Sequence, residues 1–275
     1  MKYNQWSFVI MELGQLIGKG RTAEVYRCDN EHVVKLFREG FPESLINYEF
    51  KANSIAQQSI SNVPVVYEKF THGERTGLLY EFVPGPNLSE MIFSKPSKTL
   101  SLTTEFAQLH AKIHEVKAPE LRTQKEYIRN NIKSADVLDS NRKTAILEYL
   151  DRLPSGQSLC HFDYHFENII CSSRGLFVID WMNAVRGSAC ADAARTRHIL
   201  RYSAPTGESS FLKRGFIQLL RRFVTKRYVK EYSRSAGCSQ EEIDKWELPI
   251  IASRLSENIP EEHATILQRI DRILE

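Results

Sequence analysis

The segment HFDYHFENIICSSRGLFVIDW, residues 161–181, is dense in side chains that can bind protons or metal ions. Asp163 and Asn168 are separated by four residues, and Asp180 ends the β-rich run GLFVID. Carboxylate and amide oxygens are ligands that Mg²⁺ prefers, and a further carboxylate can orient an attacking hydroxyl group. The spacing is typical of phosphoryl transfer, with Asp163 as the base and Asn168 and Asp180 as metal ligands.

Two features upstream of this segment suit the binding of nucleotide phosphates. Gly18 and Gly20 lie between two strand-like runs, where a glycine turn can bring backbone N–H groups close to phosphate oxygens. Lys35 in HVVKLF is a charge on a mostly apolar strand, which is costly unless an anion pairs with it. Each feature alone also has a purely structural interpretation. The glycines could form an ordinary hairpin, and the lysine could lie on an edge strand and face water.

A lysine that binds phosphate in this position needs a carboxylate on the next helix. Glu49 lies in the middle of the predicted helix ESLINYEFKANSIAQQS, beside its apolar stripe. Glu43 is the competitor, but it falls in the first turn, where an acidic side chain complements the helix dipole. Glu49 is therefore the predicted partner of Lys35.

The elements that must position these residues divide into a β-rich part and a helical part. Up to about residue 84, the runs FVIMELGQLIG, AEVYRC, HVVKLF, PVVYEKF and GLLYEFV predict strands around one helix. The segment VPGPNL, Val83 to Leu88, is typical of a linker. Helices are predicted after it at 88–93, 101–116, 124–138, 142–153 and from about 189, interrupted by the short strands SLCHF, NIICS and GLFVID.

The motifs HFDYHFEN, VIDW, GKGRTAEVY, VVKLF and LLYEFVPGPNL together resemble the aminoglycoside phosphotransferase and choline kinase-like family, over roughly residues 14–200. The resemblance implies an α+β, two-lobed protein-kinase-like fold. A nucleotide-binding lobe with a small antiparallel sheet and one helix is expected over residues 1–84, and a larger, mostly helical lobe over residues 85–275. ATP and Mg²⁺ are the implied cofactors, and a small-molecule hydroxyl group is the implied acceptor.

The resemblance also assigns roles to individual residues. The implied nucleotide-binding residues are Gly18, Gly20, Lys35 and Glu49, with backbone groups of the hinge at Glu81 and Val83. Asp163 is the implied catalytic residue, and Asn168 and Asp180 are the implied metal ligands. His161 is expected to brace the loop, and His165 matches a second histidine that is common in the family.

Two places depart from the family pattern. Its usual glycine after the first histidine is Phe162 here, and its usual Pro-Gly or similar pair before the asparagine is Phe166-Glu167. Neither replacement removes a ligand oxygen, so activity is still expected. Both aromatic residues predict a reshaped loop or substrate pocket, and the identity of the substrate is therefore left open.

Three alternatives to a general small-molecule kinase remain open. The first is an enzyme that inactivates aminoglycoside antibiotics specifically, and the second is a nucleotide-binding regulator without turnover. The third is a protein kinase, which the sequence disfavours because no A-P-E motif follows Asp180 and Asp192 comes only twelve residues later. Asp192 itself resembles a mainly structural aspartate of the family.

Composition argues against several other classes. The net charge of +3 favours neither nucleic acid nor a membrane, and the basic stretch 201–240 is interpreted as a solvated helix face. The run FVIM is too short for a signal peptide, and no apolar run reaches the length of a membrane span. A cytoplasmic protein, monomeric by default, is expected.

Cysteine and histidine spacing gives no sign of a structural metal or disulfide framework. The five cysteines are widely spaced and form no Cys-x-x-Cys pair, so neither a disulfide framework nor a zinc site is expected. His110 and His114 have metal-binding spacing but no recognisable third ligand, so a packing role is expected. The acidic stretch 241–275 suits a polycationic acceptor, although a solvated face is the commoner explanation.

Overall fold

A computed structural model describes residues 13–202 and 211–275 of the chain. The described residues divide into two compact units. The first unit contains the residues up to Gly85 together with Ile170–Met182, and the second contains the remainder. Within the described ranges, no helix is long and apolar enough to cross a membrane. The beginning of the predicted strand FVIMELGQLIG lies outside them.

The first unit is built on a five-stranded antiparallel sheet. The strands are β1 (Gln15–Lys19), β2 (Ala23–Arg27), β3 (His32–Phe37), β4 (Val66–His72) and β5 (Arg75–Glu81). Neighbouring strands lie in the order β1-β2-β3-β5-β4, and each pair is antiparallel.

One face of this sheet packs against helix α1 (Glu43–Ser59), which begins directly after Pro42. Phe37 of β3 and Ile46 of α1 belong to one buried cluster, whereas Val34 and Leu36 are buried in a separate one. Because successive side chains of a strand point to opposite faces, Lys35 lies on the same face as Phe37. The alternation of β3 therefore turns the lysine towards α1.

A β-hairpin from later in the chain completes the first unit. It consists of β7 (Ile169–Ser172) and β8 (Gly175–Val178). The Val178 N–H donates to the carbonyl oxygen of Asn62 at 2.8 Å, and Asn62 Nδ2 donates to the carbonyl oxygen of Leu176 at 2.9 Å. These bonds attach the residues just before Asp180 to the loop that follows α1.

The second unit is mainly helical. Two short strands, β6 (Ser158–Cys160) and β9 (Val185–Gly187), pair antiparallel within it. Its helices are α2 (Leu88–Ser94), α3 (Thr99–Ile113), α4 (Gln124–Ser134), α5 (Ser140–Arg152), α6 (Ala189–Tyr202), α7 (Phe211–Ala236), α8 (Gln240–Asp244), α9 (Glu247–Arg254) and α10 (Pro260–Leu274). The predicted α+β, kinase-like fold class is confirmed, with helix ends a few residues from those predicted.

Side-chain caps explain several helix starts in the second unit. Asn87 and Glu90 form a reciprocal capping box at α2, and Thr123 and Asp139 accept from first-turn N–H groups of α4 and α5. Such caps satisfy N–H groups that have no partner inside the helix. They account for the positions at which the predicted helical patterns begin.

One disulfide joins Cys190, in the first turn of α6, to Cys238, in the segment between α7 and α8. The expectation of no disulfide framework did not foresee this single bond. The two cysteines are 48 residues apart in sequence, and only the folded helices bring their Cα atoms to 6.3 Å. Spacing rules that look for regular cysteine patterns cannot find such a single long-range bond.

Candidate active site

Lys35 connects two carboxylates in the first unit. Its Nζ donates to Glu49 Oε1 at 2.6 Å and to Asp180 Oδ1 at 3.1 Å. The side chains of Lys35 and Glu49 are 14% and 1% exposed, whereas that of Asp180 is 43% exposed. Burial disfavours the ammonium charge, but the charges of Asp180 and Glu49 outweigh it and raise the pKa of Lys35. Lys35 is therefore a fixed cation beside an accessible carboxylate.

Glu49 is held in place by a second donor. Tyr80 Oη donates to Glu49 Oε1 at 3.0 Å, from the strand next to β3. The competitor Glu43 pairs instead with Lys69 at 2.7 Å and is mostly exposed. Of the two acidic residues considered from the sequence, Glu49 is the one that contacts Lys35.

The backbone turns sharply at Asp180, whose φ is 66°. A left-handed conformation is uncommon for a residue other than glycine, and such residues cluster at functional sites where the surroundings hold them. The next residue, Trp181, is fully buried, and its Nε1 donates to the carbonyl oxygen of Val178 at 3.2 Å. This anchored turn allows the Asp180 carboxylate to reach Lys35.

Gly18 lies within β1, opposite Val25 of β2, and Gly20 lies in the turn between the two strands. A Cβ atom at Gly18 would approach nothing closer than the Val25 side chain at 3.4 Å, and one at Gly20 would meet the Ala23 carbonyl oxygen at the same distance. Both are ordinary contact distances, and neither glycine has a positive φ. The fold itself therefore does not require glycine at these positions, which is consistent with a loop that must let a ligand approach its backbone.

The predicted hinge residues Glu81 and Val83 differ in what they can offer a ligand. The Glu81 N–H already donates to the Val65 carbonyl oxygen at 2.8 Å, and its carboxylate pairs with Arg174 at 2.6 Å. Val83 is 4% exposed, and within the described residues its backbone N–H and carbonyl groups make no hydrogen bond. The backbone of Val83 therefore keeps both its donor and its acceptor for a ligand.

Asp163 and Asn168 share one tight loop in the second unit. Asn168 Nδ2 donates to the Asp163 carbonyl oxygen at 2.9 Å and lies 3.4 Å from Asp163 Oδ2. Because the amide nitrogen makes these contacts, the amide oxygen of Asn168 remains as a potential ligand. His165 caps the short 3₁₀ turn at Phe166–Asn168. Its ring lies between the side chains of Asp163 and Asn168, with Nε2 3.1 Å from Asn168 Nδ2.

The charge state of Asp163 depends on three nearby groups. Burial on its own raises the pKa of this carboxyl, but His165, Arg195 and His161 together lower it below its usual value. His165 Nε2 lies 3.7 Å from Oδ2, and Arg195 Nη2 lies 4.0 Å from Oδ1. At neutral pH Asp163 is ionised and 25% exposed, so it can accept a hydrogen bond from an approaching hydroxyl.

Phe162 has a left-handed backbone, with a φ of 62°. Glycine adopts this conformation readily, which explains the residue that is usual here in the family pattern. Phe162 is fully buried, its N–H donates to Asp192 Oδ1 at 3.1 Å, and its ring packs edge-on against Tyr127 at 5.4 Å. It shapes the loop from beneath and does not line an exposed surface, whereas Phe166 is half-buried against Phe106.

Asp192 joins His110 of α3 to His114, the residue that directly follows this helix. His110 Nε2 and His114 Nε2 lie 3.2 and 3.1 Å from Asp192 Oδ2, and all three residues are buried. Asp192 is the third potential ligand that sequence spacing could not supply. Tyr228 Oη and Tyr232 Oη approach the Nδ1 atoms of the same rings at 2.8 and 2.7 Å. The five side chains satisfy one another by hydrogen bonding and need no ion.

The protonation of this cluster follows from its burial. Burial, together with the neighbouring His114, lowers the pKa of His110 to about 4, while the two histidines hold the pKa of Asp192 far below its usual value despite burial. A neutral His110 ring donates from Nε2 to the Asp192 carboxylate and accepts at Nδ1 from Tyr228. Since Asp192 Oδ1 also accepts from the Phe162 N–H, the cluster braces the loop that contains Asp163.

Arg195, which lies near Asp163, and its ion-pair partner Glu257 were not predicted from sequence. Arg195 is fully buried and donates through Nη2 to Glu257 Oε1 at 2.6 Å. Arg195 follows Asp192 by three positions on α6, so helical spacing could have placed both on one face. Glu257 has no such signal, because it comes from a distant part of the chain.

A family model described as the phosphotransferase enzyme family matches residues 14–227. The chain belongs to this family. The predicted recognition and the predicted enzyme class, a small-molecule phosphotransferase, are thereby confirmed. No protein with curated annotation matches the sequence of this phosphotransferase.

Solved structures of similar fold include three enzymes with different acceptors. An aminoglycoside-3'-phosphotransferase of type VIII has a TM-score of 0.60 and 17% identity, covering 87% of this chain and 91% of that chain. The amicoumacin kinase hAmiN, in complex with AMP-PNP, Ca²⁺ and Ami, has a TM-score of 0.59 and 17% identity, covering 95% of this chain and 86% of that chain. Choline kinase from Cryptosporidium parvum Iowa II has a TM-score of 0.56 and 13% identity, covering 94% of this chain and 89% of that chain. At these identities the similarity establishes a common fold.

Proposed function

We propose that this phosphotransferase moves the γ-phosphate of ATP, with Mg²⁺ bound, to a hydroxyl group of a small molecule. The observation that carries the proposal is Lys35, a buried cation fixed by Glu49 and placed beside the accessible carboxylate of Asp180. A cation of this kind, on a strand and paired with a helix glutamate, holds nucleotide phosphates in kinases. The AMP-PNP bound to the amicoumacin kinase supports ATP as the phosphate donor.

The remaining nucleotide contacts are proposed from the same unit. Gly18 and Gly20 leave room for phosphate oxygens beside the backbone, as judged by the absence of any packing reason for glycine. The adenine base would meet the hinge at Val83, whose backbone groups make no other hydrogen bond among the described residues. Glu81 contributes indirectly, because its ion pair with Arg174 fixes the strand end.

Asn168 and Asp180 are the proposed Mg²⁺ ligands. Hard oxygen donors suit this ion, and each residue keeps an oxygen that no described group engages. The Ca²⁺ in the amicoumacin kinase structure is another hard divalent cation. Mg²⁺, when bound, neutralises negative charge on the transferring phosphate.

Asp163 is the proposed catalytic residue. Its ionised carboxylate accepts a hydrogen bond from the acceptor hydroxyl and orients that oxygen towards the γ-phosphorus. A new O–P bond forms as the bond to the β–γ bridging oxygen breaks, the hydroxyl proton passes to Asp163, and ADP leaves. Lys35 stabilises the charge that develops on the phosphate oxygens, so catalysis is mostly positioning and electrostatics.

The acidic residues in the stretch 241–275 give little reason to prefer a positively charged acceptor. Glu247 pairs with Arg197 and Arg269, and Glu257 pairs with Arg195 and Arg254. Carboxylates neutralised in this way attract a polycation weakly. We therefore keep the proposal at small-molecule alcohols, with an aminoglycoside as one member of the class to be tested.

The test is a transfer assay with labelled ATP, Mg²⁺ and a panel of metabolites and antibiotics. We expect Asp163→Asn to abolish transfer while leaving ATP binding, measured by calorimetry, nearly unchanged. Asp136→Asn is the matched control, because this exposed aspartate belongs neither to the proposed nucleotide and Mg²⁺ ligands nor to the Asp163 loop. ATP binding without transfer to any acceptor would support the nucleotide-binding regulator instead, and loss of ATP binding in Asp163→Asn would contradict the role given to that residue.

A further inference from the structure

Arg195 is a buried cation beneath the catalytic loop. Its side chain is 2% exposed, its Nε donates to the Phe162 carbonyl oxygen, and its Nη2 donates to Glu257 Oε1. The same Nη2 lies 4.0 Å from Asp163 Oδ1. One guanidinium therefore contacts the peptide that leads into Asp163 and faces the carboxylate itself.

Burying the charge of Arg195 costs free energy, and its partners offset this cost only in part. Burial of a guanidinium requires paired charges and filled hydrogen bonds. Glu257 supplies one full negative charge, yet Nη1 is buried and has no hydrogen-bond partner among the described residues. The guanidinium is thus buried against the Asp163 loop with one hydrogen-bond donor, Nη1, unused by the rest of the described chain.

The backbone that Arg195 contacts is the strained one. Phe162 has a φ of 62°, and the Arg195 guanidinium also stacks over its ring, 5.1 Å from the centroid. A fixed donor on the Phe162 carbonyl sets the orientation of the peptide that joins it to Asp163. The planar, forked guanidinium can do this while keeping its charge near the carboxylate, which an ammonium group does less well.

We propose that Arg195 is a positioning residue for phosphoryl transfer, which holds the Phe162–Asp163 peptide and orients the Asp163 carboxylate towards the acceptor hydroxyl. This inference rests on the proposed role of Asp163. Arg195 does not touch the reacting atoms and acts through Asp163. Misplacement of a catalytic group by about 1 Å is enough to lower a rate by about a hundredfold.

The first experiment separates kcat from KM in the full-length enzyme, with the acceptor found in the panel. We expect Arg195→Met to lower kcat by about tenfold or more, with the KM for ATP changed by less than about twofold. Arg195→Lys, which keeps the charge, should recover part of the loss. The control is Arg197→Met, two positions along α6, whose side chain pairs with Asp244 and Glu247 and should leave kcat unchanged.

A double-mutant cycle distinguishes positioning from general damage to the fold. If Arg195 acts through Asp163, Arg195→Met adds little further loss of kcat to a protein that already carries Asp163→Glu, which keeps a carboxylate in a shifted position and leaves a measurable rate. Multiplicative losses in the double variant would overturn the proposal, as would equal changes in kcat and in the KM for ATP.

Hydrogen exchange of the loop provides a readout that does not depend on the reaction. We expect faster amide exchange over residues 158–168 in Arg195→Met and unchanged exchange in Arg197→Met. If the wild type transfers phosphate to no acceptor, the proposed function is wrong. If amide exchange over residues 158–168 is unchanged in Arg195→Met, the positioning role of Arg195 is wrong. Should Arg195→Met fail to fold, Glu257→Gln frees one anchor of the guanidinium, and unchanged kcat and loop exchange in that variant would count against the proposal.

Discussion

At the scale of single residues, two non-glycine side chains with left-handed backbones mark the loops that carry the proposed chemistry. Phe162 has a φ of 62° and Asp180 a φ of 66°. Each is held by a buried group next to it, Phe162 by Asp192 and Asp180 by Trp181. The strain is therefore maintained by packing around the loops and not by the loop residues alone.

Removal of the Phe162 ring tests this dependence. Phe162→Ala keeps the unfavourable φ but loses the buried ring, so we expect the free energy of unfolding to fall by about 3–5 kcal/mol. Phe162→Gly relieves the backbone strain and should be no worse, although it loses the same ring. Urea unfolding gives both values, with Phe93→Ala, a residue that is 60% exposed, as the matched control. Equal stability of Phe162→Ala and the wild type would contradict the account.

At the scale of elements, helices α3, α6 and α7 meet at the cluster of Asp192, His110 and Tyr228. The pKa of His110 is lowered to about 4 in the folded protein, so the unfolded chain binds the extra proton more readily. Stability is therefore full above the unfolded pKa of about 6.5 and is lost as the pH falls towards 4.

The expected size of this loss is on the order of 3 kcal/mol, because the shift spans more than two pH units. Denaturant unfolding at a series of pH values measures it. His110→Asn should be less stable at pH 7 but show a shallower fall below pH 6.5, whereas His72→Gln, outside the cluster, should keep the wild-type slope. An unchanged slope in His110→Asn would show that other groups cause the acid sensitivity.

Two glycines in the first unit offer opposite tests. Gly85 has a φ of 148°, and a Cβ atom there would lie 2.2 Å from the Cys171 carbonyl oxygen, so Gly85→Ala should lower the melting temperature markedly. Gly18→Ala meets no such obstacle and should leave the melting temperature within a few degrees while weakening ATP binding. Differential scanning fluorimetry with and without ATP separates the two effects. Unchanged ATP affinity in Gly18→Ala would remove that glycine from the proposed phosphate loop.

At the scale of the whole molecule, the disulfide constrains the second unit. Cys190 and Cys238 close a loop across 48 residues of sequence, which restricts the unfolded chain. We expect the double substitution to serine to lower the free energy of unfolding by about 2–4 kcal/mol. Calorimetry of the wild type with and without a reductant checks the same quantity. Identical transitions in both conditions would mean that the bond contributes nothing.

The sequence was enough to predict the fold class and the order of elements, because alternation in strands such as HVVKLF and helical spacing in α1 are local properties. It also selected Glu49 over Glu43, since position along a helix is readable from sequence. Arg195 and Glu257 escaped prediction because their relation to Asp163 exists only after α6 and the chain beyond α9 fold together.

The first unit is assembled from two separated stretches of chain, because Ile170–Met182 returns to the residues before Gly85. Lys35 comes from the first stretch and Asp180 from the second, yet they form one ion pair. A chimaera of two homologues with a single crossover at the hinge would therefore inherit the lysine from one parent and its aspartate from the other. Recombination of this enzyme with its relatives should succeed best when residues 170–182 travel together with the amino-terminal stretch.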